Sequence, residues 1–194
     1  MASPLTPWTP DFEPKRENKF ILSLTGIPVY FITDVTVPKM TIGGETKHNF
    51  LSHTFKFPGK LTWGDCTFTM TDPIDFNAAD LFIKHIRGAG YVFPSTFNID
   101  DPASPNYYLK TIKKNFTGDS NRIQGMKITV IDSNGAPVEE WSLKNSFIKD
   151  VDFGNYKYET EALKNVKVIV VSDWVDYQSF RSSSGVLTNT AVGG

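Results

Sequence analysis

KITVIDSNGAPVEEWSLKNSFIKDVDFGNYKYETEALKNVKVIVVSDWVDY, residues 127–177, is the stretch whose reading decides the fold. Residues 126–131 read as a strand. Ser133-Asn134-Gly135-Ala136 is a strong turn signal, because Asn-Gly accepts the left-handed backbone that a tight hairpin demands. Residues 139–144 resume a strand. Phe147, Val151 and Phe153 alternate with interruptions, and Gly154-Asn155 turns the chain again. Residues 165–171, NVKVIVV, are apolar on both faces, as expected of a strand that is central or buried at an interface. The block closes on Asp173-Trp174 and Asp176-Tyr177 and holds no catalytic set.

Composition supports a strand-built body. The 194 residues suit one domain with arms, and 40% apolar with 13% aromatic side chains suffice for a core. Fifteen phenylalanines, with abundant Thr and Val, favour strands over helices. Twenty basic side chains against 21 acidic ones leave a net charge of −1. A dedicated duplex binder needs a basic excess to neutralise phosphates, so tight nucleic-acid binding is disfavoured. The single Cys66 excludes an intrachain disulfide and a multi-cysteine zinc site, and fits a reducing compartment. No apolar run resembles a signal peptide, a myristoylation pattern or a membrane span, so no membrane anchor is expected.

Outward from the block, Pro4, Pro7, Pro10 and Pro14 mark residues 1–18 as an extended N-terminal arm that carries Trp8 and Phe12. Either it is a loose terminus, or it orders against a neighbouring subunit. Residues 19–25 alternate as a first strand, and 29–37 form a second that Pro38 stops. Gly43-Gly44 and Pro58-Gly59 bracket a long excursion that fits an extended projecting hairpin. Residues 61–71 read as one further strand. One amphipathic helix is expected over residues 75–88, with Ala79, Phe82, Ile83 and Ile86 as its apolar stripe, Asp75 as its cap and Gly88 at its end. A weak strand is expected at 107–116, and the Ser/Gly/Thr-rich residues 178–194 read as a flexible tail after a domain spanning 19–177.

The candidate chemistry is thin. His48 and His53 lie five apart on a strand-like segment and would face opposite ways, so they read as surface histidines, like His85. Cys66 lacks an activating elbow or helix N-terminus and reads as a packed side chain. Among the carboxylates, Asp75 is explained as a cap and Asp100-Asp101-Pro102 as a turn, and no calcium-loop spacing is present. Gly43-Gly44 lacks the Lys-Ser/Thr of a phosphate loop. Trp63, Trp141 and Trp174 could make a carbohydrate platform on a β-sandwich, although Trp in an alternating strand more often packs. No catalytic residue, cofactor or metal is expected. A chain with one helix to cover its sheets must still protect strand edges, and self-assembly into a ring would do so.

The organising block also carries a resemblance. The Asp132-Ser133-Asn134-Gly135 turn, Glu140-Trp141-Ser142-Leu143, Phe147-Ile148-Lys149-Asp150-Val151, Phe153-Gly154, Tyr158, Leu163, the valine run from Val166 to Val171 and Asp173-Trp174 resemble the tube proteins of contractile bacteriophage tails. The Asn18-Lys19-Phe20 start of the first strand, the Pro38 stop and a helix after Thr69-Met70-Thr71-Asp72 are similar too. The resemblance spans roughly residues 18–177, and the Pro-rich arm, the tail and the loop-rich region near 92–106 depart from it.

The resemblance implies a β-sandwich or β-barrel with one flanking helix. It implies homo-hexameric rings whose strands close a shared inner barrel. Rings would stack into a hollow tube that conducts the genome during ejection. The implied partners are the sheath, baseplate and tail-terminator proteins, with tape-measure protein and DNA passing through the lumen without tight binding. The implied location is the tail of a virion, after assembly in the host cytoplasm. A tube-initiating baseplate protein or the tube of an injection system, including type VI secretion, is the near alternative. A carbohydrate-binding β-sandwich is the distant one. The interface candidates are Trp8 and Phe12 on the arm, His48, Phe50 and Phe55 on the excursion, and Val168 and Val170 on the apolar strand.

Overall fold

The computed structural model describes residues 14–24, 27–96, 99–104, 107, 112, 126–159, 161–181 and 187–190. Two antiparallel sheets face each other. The first orders β1 (Phe20–Ser23), β8 (Lys127–Ile131), β9 (Pro137–Lys144), β12 (Trp174–Arg181) and β13 (Leu187–Thr190). The second orders β10 (Phe147–Asp152), β11 (Asn165–Val171), β7 (Cys66–Thr71) and β2 (Ile32–Thr36). Strands β3 (Met40–Ile42), β4 (Thr46–Phe50), β5 (His53–Phe57) and β6 (Leu61–Trp63) form a separate long hairpin. Helix α1 runs Ala78–Gly88.

The period-2 pattern explains how the sheets close on each other. Cys66, Phe68 and Met70 on β7, with Val166, Val168 and Val170 on β11, are all fully buried. They share one cluster with Leu22, Ile128, Leu143 and Val175 from the first sheet and with Ala78 and Phe82 from the helix. Burying a side chain such as Phe68 or Leu22 contributes about 2–3 kcal/mol each. The strand β11 is central, between β10 and β7. Its outer face is less apolar than the sequence pattern implies, since Lys167 is exposed and Ile169 and Val171 are half-buried.

One continuous ribbon builds both sheets. Strand β9 pairs with β12 down to Lys144↔Trp174, and β10 takes up with β11 at Phe147↔Val171. The chain therefore passes from one sheet to the other at a corner made by Asn145-Ser146 and Ser172-Asp173. Asn145 adopts φ +50°, its side-chain amide donates to Asp173 Oδ2 at 3.2 Å, and Asp173 N donates to Lys144 O at 3.1 Å. Asn tolerates the left-handed region better than other non-glycine residues, so a sharp bend here costs little. The β8–β9 turn forms where expected. Asp132 Oδ1 accepts from Asn134 N at 2.9 Å and Ala136 N at 2.8 Å, and Gly135 supplies φ +82°.

Several expectations are corrected. The stretch 61–71 is two strands, because Gly64-Asp65 ends β6 and β7 enters the second sheet. A 3-10 turn at Val29–Phe31 precedes β2. The helix is capped by Asn77, whose side chain accepts from Asp80 N at 3.1 Å, rather than by Asp75. Phe76, just before the cap, stacks on Phe31 at 5.6 Å and so fixes the helix entry beyond Asp75. The helix runs to Gly88, where its end was expected, with Ala89 as the C-cap and Gly90 following at φ +110°. The buried stripe is Ala78, Phe82, His85 and Ala89, rotated from the expected one, and His85 is buried rather than on the surface.

Residues 178–181 continue β12, and β13 pairs with it through Ser179↔Thr190 and Arg181↔Leu187, so the sheet does not stop at Tyr177. Most of the expected strand at 107–116 lies outside the described residues. Tyr158 is fully exposed and Trp174 is 45% exposed, so neither is a core aromatic. The arm meets the body at Lys15, whose ammonium pairs with the buried Glu139 carboxylate, and Glu139 also accepts from Tyr177 Oη at 3.2 Å.

A Val168→Asp substitution places an unpaired carboxylate between the sheets and should cost about 3 kcal/mol or more. The denaturant midpoint measures this, and an unchanged midpoint would mean that β11 does not line the core.

Candidate assembly surface

Among the described strands, those of the hairpin from β3 to β6 contribute least to the core, to which they add only Trp63 at the base. Every residue of β3, β4 and β5 is exposed. The inner ribbon pairs Met40↔Trp63, Thr41↔Thr62 and Ile42↔Leu61, and the outer ribbon pairs Thr46↔Phe57 through Phe50↔His53. Gly43 N donates to Lys60 O at 3.0 Å, and Gly64 N to Lys39 O at 2.8 Å, which ties the base. Eleven residues per limb extend on the order of 30 Å from the body. At the waist Gly59 lies against the backbone of Gly43 and Gly44. A Cβ there would fall 1.7 and 2.1 Å from their carbonyl oxygens, so only glycine fits.

Pairing sorts the side chains, because directly opposed residues of an antiparallel pair share a face. On the outer ribbon one face carries Thr46, His48, Phe50, His53, Phe55 and Phe57. The other carries Lys47, Asn49, Thr54 and Lys56, with Glu45 reaching Lys47 at 3.0 Å and Lys56 at 3.4 Å. On the inner ribbon Met40, Ile42, Leu61 and Trp63 share a face opposite Thr41 and Thr62. Phe50, Phe55 and Phe57 are 61%, 51% and 55% exposed. Leu51 at the tip is exposed and held at φ +53°, a conformation that bulky residues rarely adopt. Aromatic side chains exposed in this way on a two-stranded ribbon mark a surface built to be covered.

The sequence-based interface candidates divide accordingly. His48, Phe50 and Phe55 come together on this one face. His48 and His53 also share it, contrary to the expectation of opposite faces, because the Leu51-Ser52 turn reverses the strand between them. Val168 and Val170 are fully buried inside the chain and have no surface left for a partner. Trp8 and Phe12 lie outside the described residues. The alternation of Phe with Lys and His along residues 46–57 was the available signal for Phe57, which the sequence reading left out.

Other chemistry does not assemble. Among the described residues no group of three or more His, Cys, Asp and Glu is placed to hold a metal ion. Asp72 accepts from Ala78 N at 3.0 Å at the helix start, Asp80 pairs with Lys84 at 2.6 Å, and Asp101 accepts from Ala103 N at 2.9 Å in its turn. Trp141 and Tyr177 share one face of the first sheet at 4.7 Å between ring centroids, while Trp174 falls on the other face and Trp63 packs on the core. The three tryptophans therefore make no common platform for a sugar. No helix among the described residues is long and apolar enough to cross a membrane.

No protein-family profile and no curated protein sequence matches the chain. Solved structures do. A chain of the anti-feeding prophage cap, the tube-terminating cap, aligns with TM-score 0.58 and 13% identity over 87% of this chain and 93% of that one. A chain of the sheath–tube complex of an extracellular contractile injection system (PVC) in its extended state gives 0.57 and 13% over 86% and 92%. The fold is one that contractile injection assemblies contain. A chain of the anti-feeding prophage baseplate, described as 6-fold symmetrised, gives 0.54 and 10% over 86% and 96%.

Cys66 is buried, and burial pushes its thiol up to about 12. Thiolate is the reactive form, so Cys66 should resist a maleimide at pH 8 in the folded protein and react within minutes in denaturant. Because the folded value lies above the ordinary value near 9, the stability this thiol contributes is complete below pH 9 and is lost as the pH rises toward 12. Rapid labelling of native protein would show that the second sheet opens.

In the hairpin, Phe50→Ser with Phe55→Ser removes exposed side chains only. Thermal stability should hold within about 0.5 kcal/mol per site, while self-association measured by light scattering should fall.

Proposed function

We propose that this chain is the protomer of a hollow tube in a contractile phage tail or injection particle, and that its role is structural rather than catalytic. The observation that carries this reading is a long hairpin with an uncovered aromatic face on a fold shared with chains of contractile injection assemblies. Rings of six fit the 6-fold symmetry stated for the similar baseplate. In such a ring, sheet edges such as β2 and β10 would pair or be covered across subunits and line a shared barrel. A sheath would surround the stacked rings, a baseplate and a terminator would bound them, and tape-measure protein and DNA would pass through the lumen. The near-balanced charge suits a conduit, since a cationic lumen would retain phosphates.

A second reading has its own support. The likeness extends to chains of a tube-terminating cap and a baseplate, so a protein forming a single ring at one end of a tube is also consistent with the fold. Copy number separates the two, because a main tube protein fills many rings and a terminal one fills one.

Negative-stain microscopy of the purified full-length chain should show six-fold rings or hollow rods. A species that stays monomeric at every concentration and salt tested would defeat the proposal.

A further inference from the structure

The core face of the first sheet runs on past the core. Along this face the opposed pairs of β9 and β12 are Leu143↔Val175, Trp141↔Tyr177 and Glu139↔Ser179. Leu143 and Val175 are core residues and Trp141 packs against the core, and then the row turns polar at Glu139. The segment 14–19 lies over that polar end. Lys15 pairs with Glu139, and a turn closed by Lys19 N donating to Arg16 O at 3.1 Å leads into β1. Lys19 O accepts from Ile131 N at 3.1 Å, which fixes the turn against the end of β8. Between this segment and the sheet is a cavity of about 270 Å³.

The charges that line the cavity are unevenly used. Its two carboxylates are Asp132 and Glu139. Glu139 is buried and accepts from Lys15, from Tyr177 Oη at 3.2 Å and from Trp141 Nε1 at 3.5 Å. Asp132 Oδ1 accepts from two backbone amides of the β8–β9 turn. Its three cations are Lys15, Arg16 and Lys19. Lys15 is committed to Glu139, whereas Arg16 and Lys19 have no side-chain partner among the described residues. A turn of this kind holds its two ends within about 7 Å, so two like charges stand side by side on one wall. They repel each other until an anion joins them.

Charge and size select the ligand. Three cations against two carboxylates leave a surplus of one positive charge, so a single negative charge balances the lining. A phosphate group, carrying about −2 at neutral pH, overshoots that balance and meets two carboxylates at close range. A guanidinium beside an ammonium offers forked, charge-assisted donors to a carboxylate. Pro14, Ile131 and Val138 supply apolar lining for the methylene groups behind the charge. The volume falls just below the range of about 300–1,000 Å³ that suits drug-sized molecules, so one side chain or one chain end fills it.

We infer that this cavity is a carboxylate site that seats the glutamate side chain, or the C-terminal carboxylate, of a partner protein. Arg16 and Lys19 hold the carboxylate, and the apolar lining takes its stem. The Lys15–Glu139 pair keeps the segment 14–19 in place over the sheet. The site belongs to a single chain, so it stands or falls separately from ring formation.

Saturation-transfer NMR on the full-length protein tests it, because the method reads the small ligand whether or not the protein has assembled. The probes are acetyl-glutamate amide, acetyl-alanine with its free carboxylate, and acetyl-glutamine amide as the uncharged match. A carboxylate probe should give a signal that saturates with concentration, and the glutamine probe should give none. The stronger of the two carboxylate probes tells a side chain from a chain terminus. Arg16→Gln with Lys19→Gln should weaken binding about tenfold or more. The circular dichroism melt of that variant should not move, since neither side chain belongs to the core. Inorganic phosphate at equal concentration should not displace the glutamate probe.

Should the double variant fail to fold, the glutamine probe and the phosphate competition decide the matter on wild-type protein. No signal from either carboxylate probe, equal signals from the glutamate and glutamine probes, displacement by equimolar phosphate, or undiminished binding to the folded double variant would overturn the assignment.

Discussion

The corner at Asn145-Ser146 and Ser172-Asp173 is the constraint on which the rest of the structure depends. A single antiparallel ribbon supplies two strands to each sheet, and the two sheets meet face to face only because the ribbon bends there. Asn145 takes the left-handed backbone, and its side chain holds Asp173 across the bend. With that bend in place, Leu143 and Val175 on one side and Val168 and Val170 on the other fall into a common core. Without it the same residues would form one long, flat ribbon with an apolar face open to water.

The core then determines what is left over. Burial of alternate residues on β7 and β11 against Leu22, Ile128, Leu143 and Val175 uses the apolar faces of both sheets, and Phe82 with Ala78 brings the helix onto the same cluster. The hairpin departs from the end of β2 and returns at β7, and beyond Trp63 at its base it does not pack on the core. Its aromatic face and its left-handed Leu51 tip gain nothing from the protomer's own packing. A surface that costs solubility and strain in the monomer is consistent with a chain whose stable state is an assembly.

The contrast between Val168 and Phe50 shows how far sequence could be read. Both are apolar residues in alternating strands, and both were expected at a contact between subunits. Val168 has a polar neighbour on one side and lies in a strand flanked by β7 and β10, so the protomer itself buries it. Phe50 sits between Asn49 and Leu51 in a ribbon with no third strand. Local pattern says that each needs a partner, and only the sheet order says whether the partner is in the same chain. The histidines make the same point, since the spacing of His48 and His53 predicts opposite faces until a turn is placed between them.

What the sequence by itself determined was the strand-rich class, the Asn134-Gly135 hairpin, the central place of β11 and the amphipathic helix that ends at Gly88. Each of these follows from side-chain period, turn chemistry or residue inventory, which are local properties. The tertiary structure alone decided that residues 61–71 break into two strands, that β12 runs past Tyr177 to pair with β13, and that Asn77 rather than Asp75 caps the helix. It also decided that the aromatic face of the hairpin remains uncovered. Those outcomes depend on which segments lie side by side, such as Ser179 beside Thr190 or Phe76 on Phe31, and such contacts leave no periodic trace in the sequence of either partner.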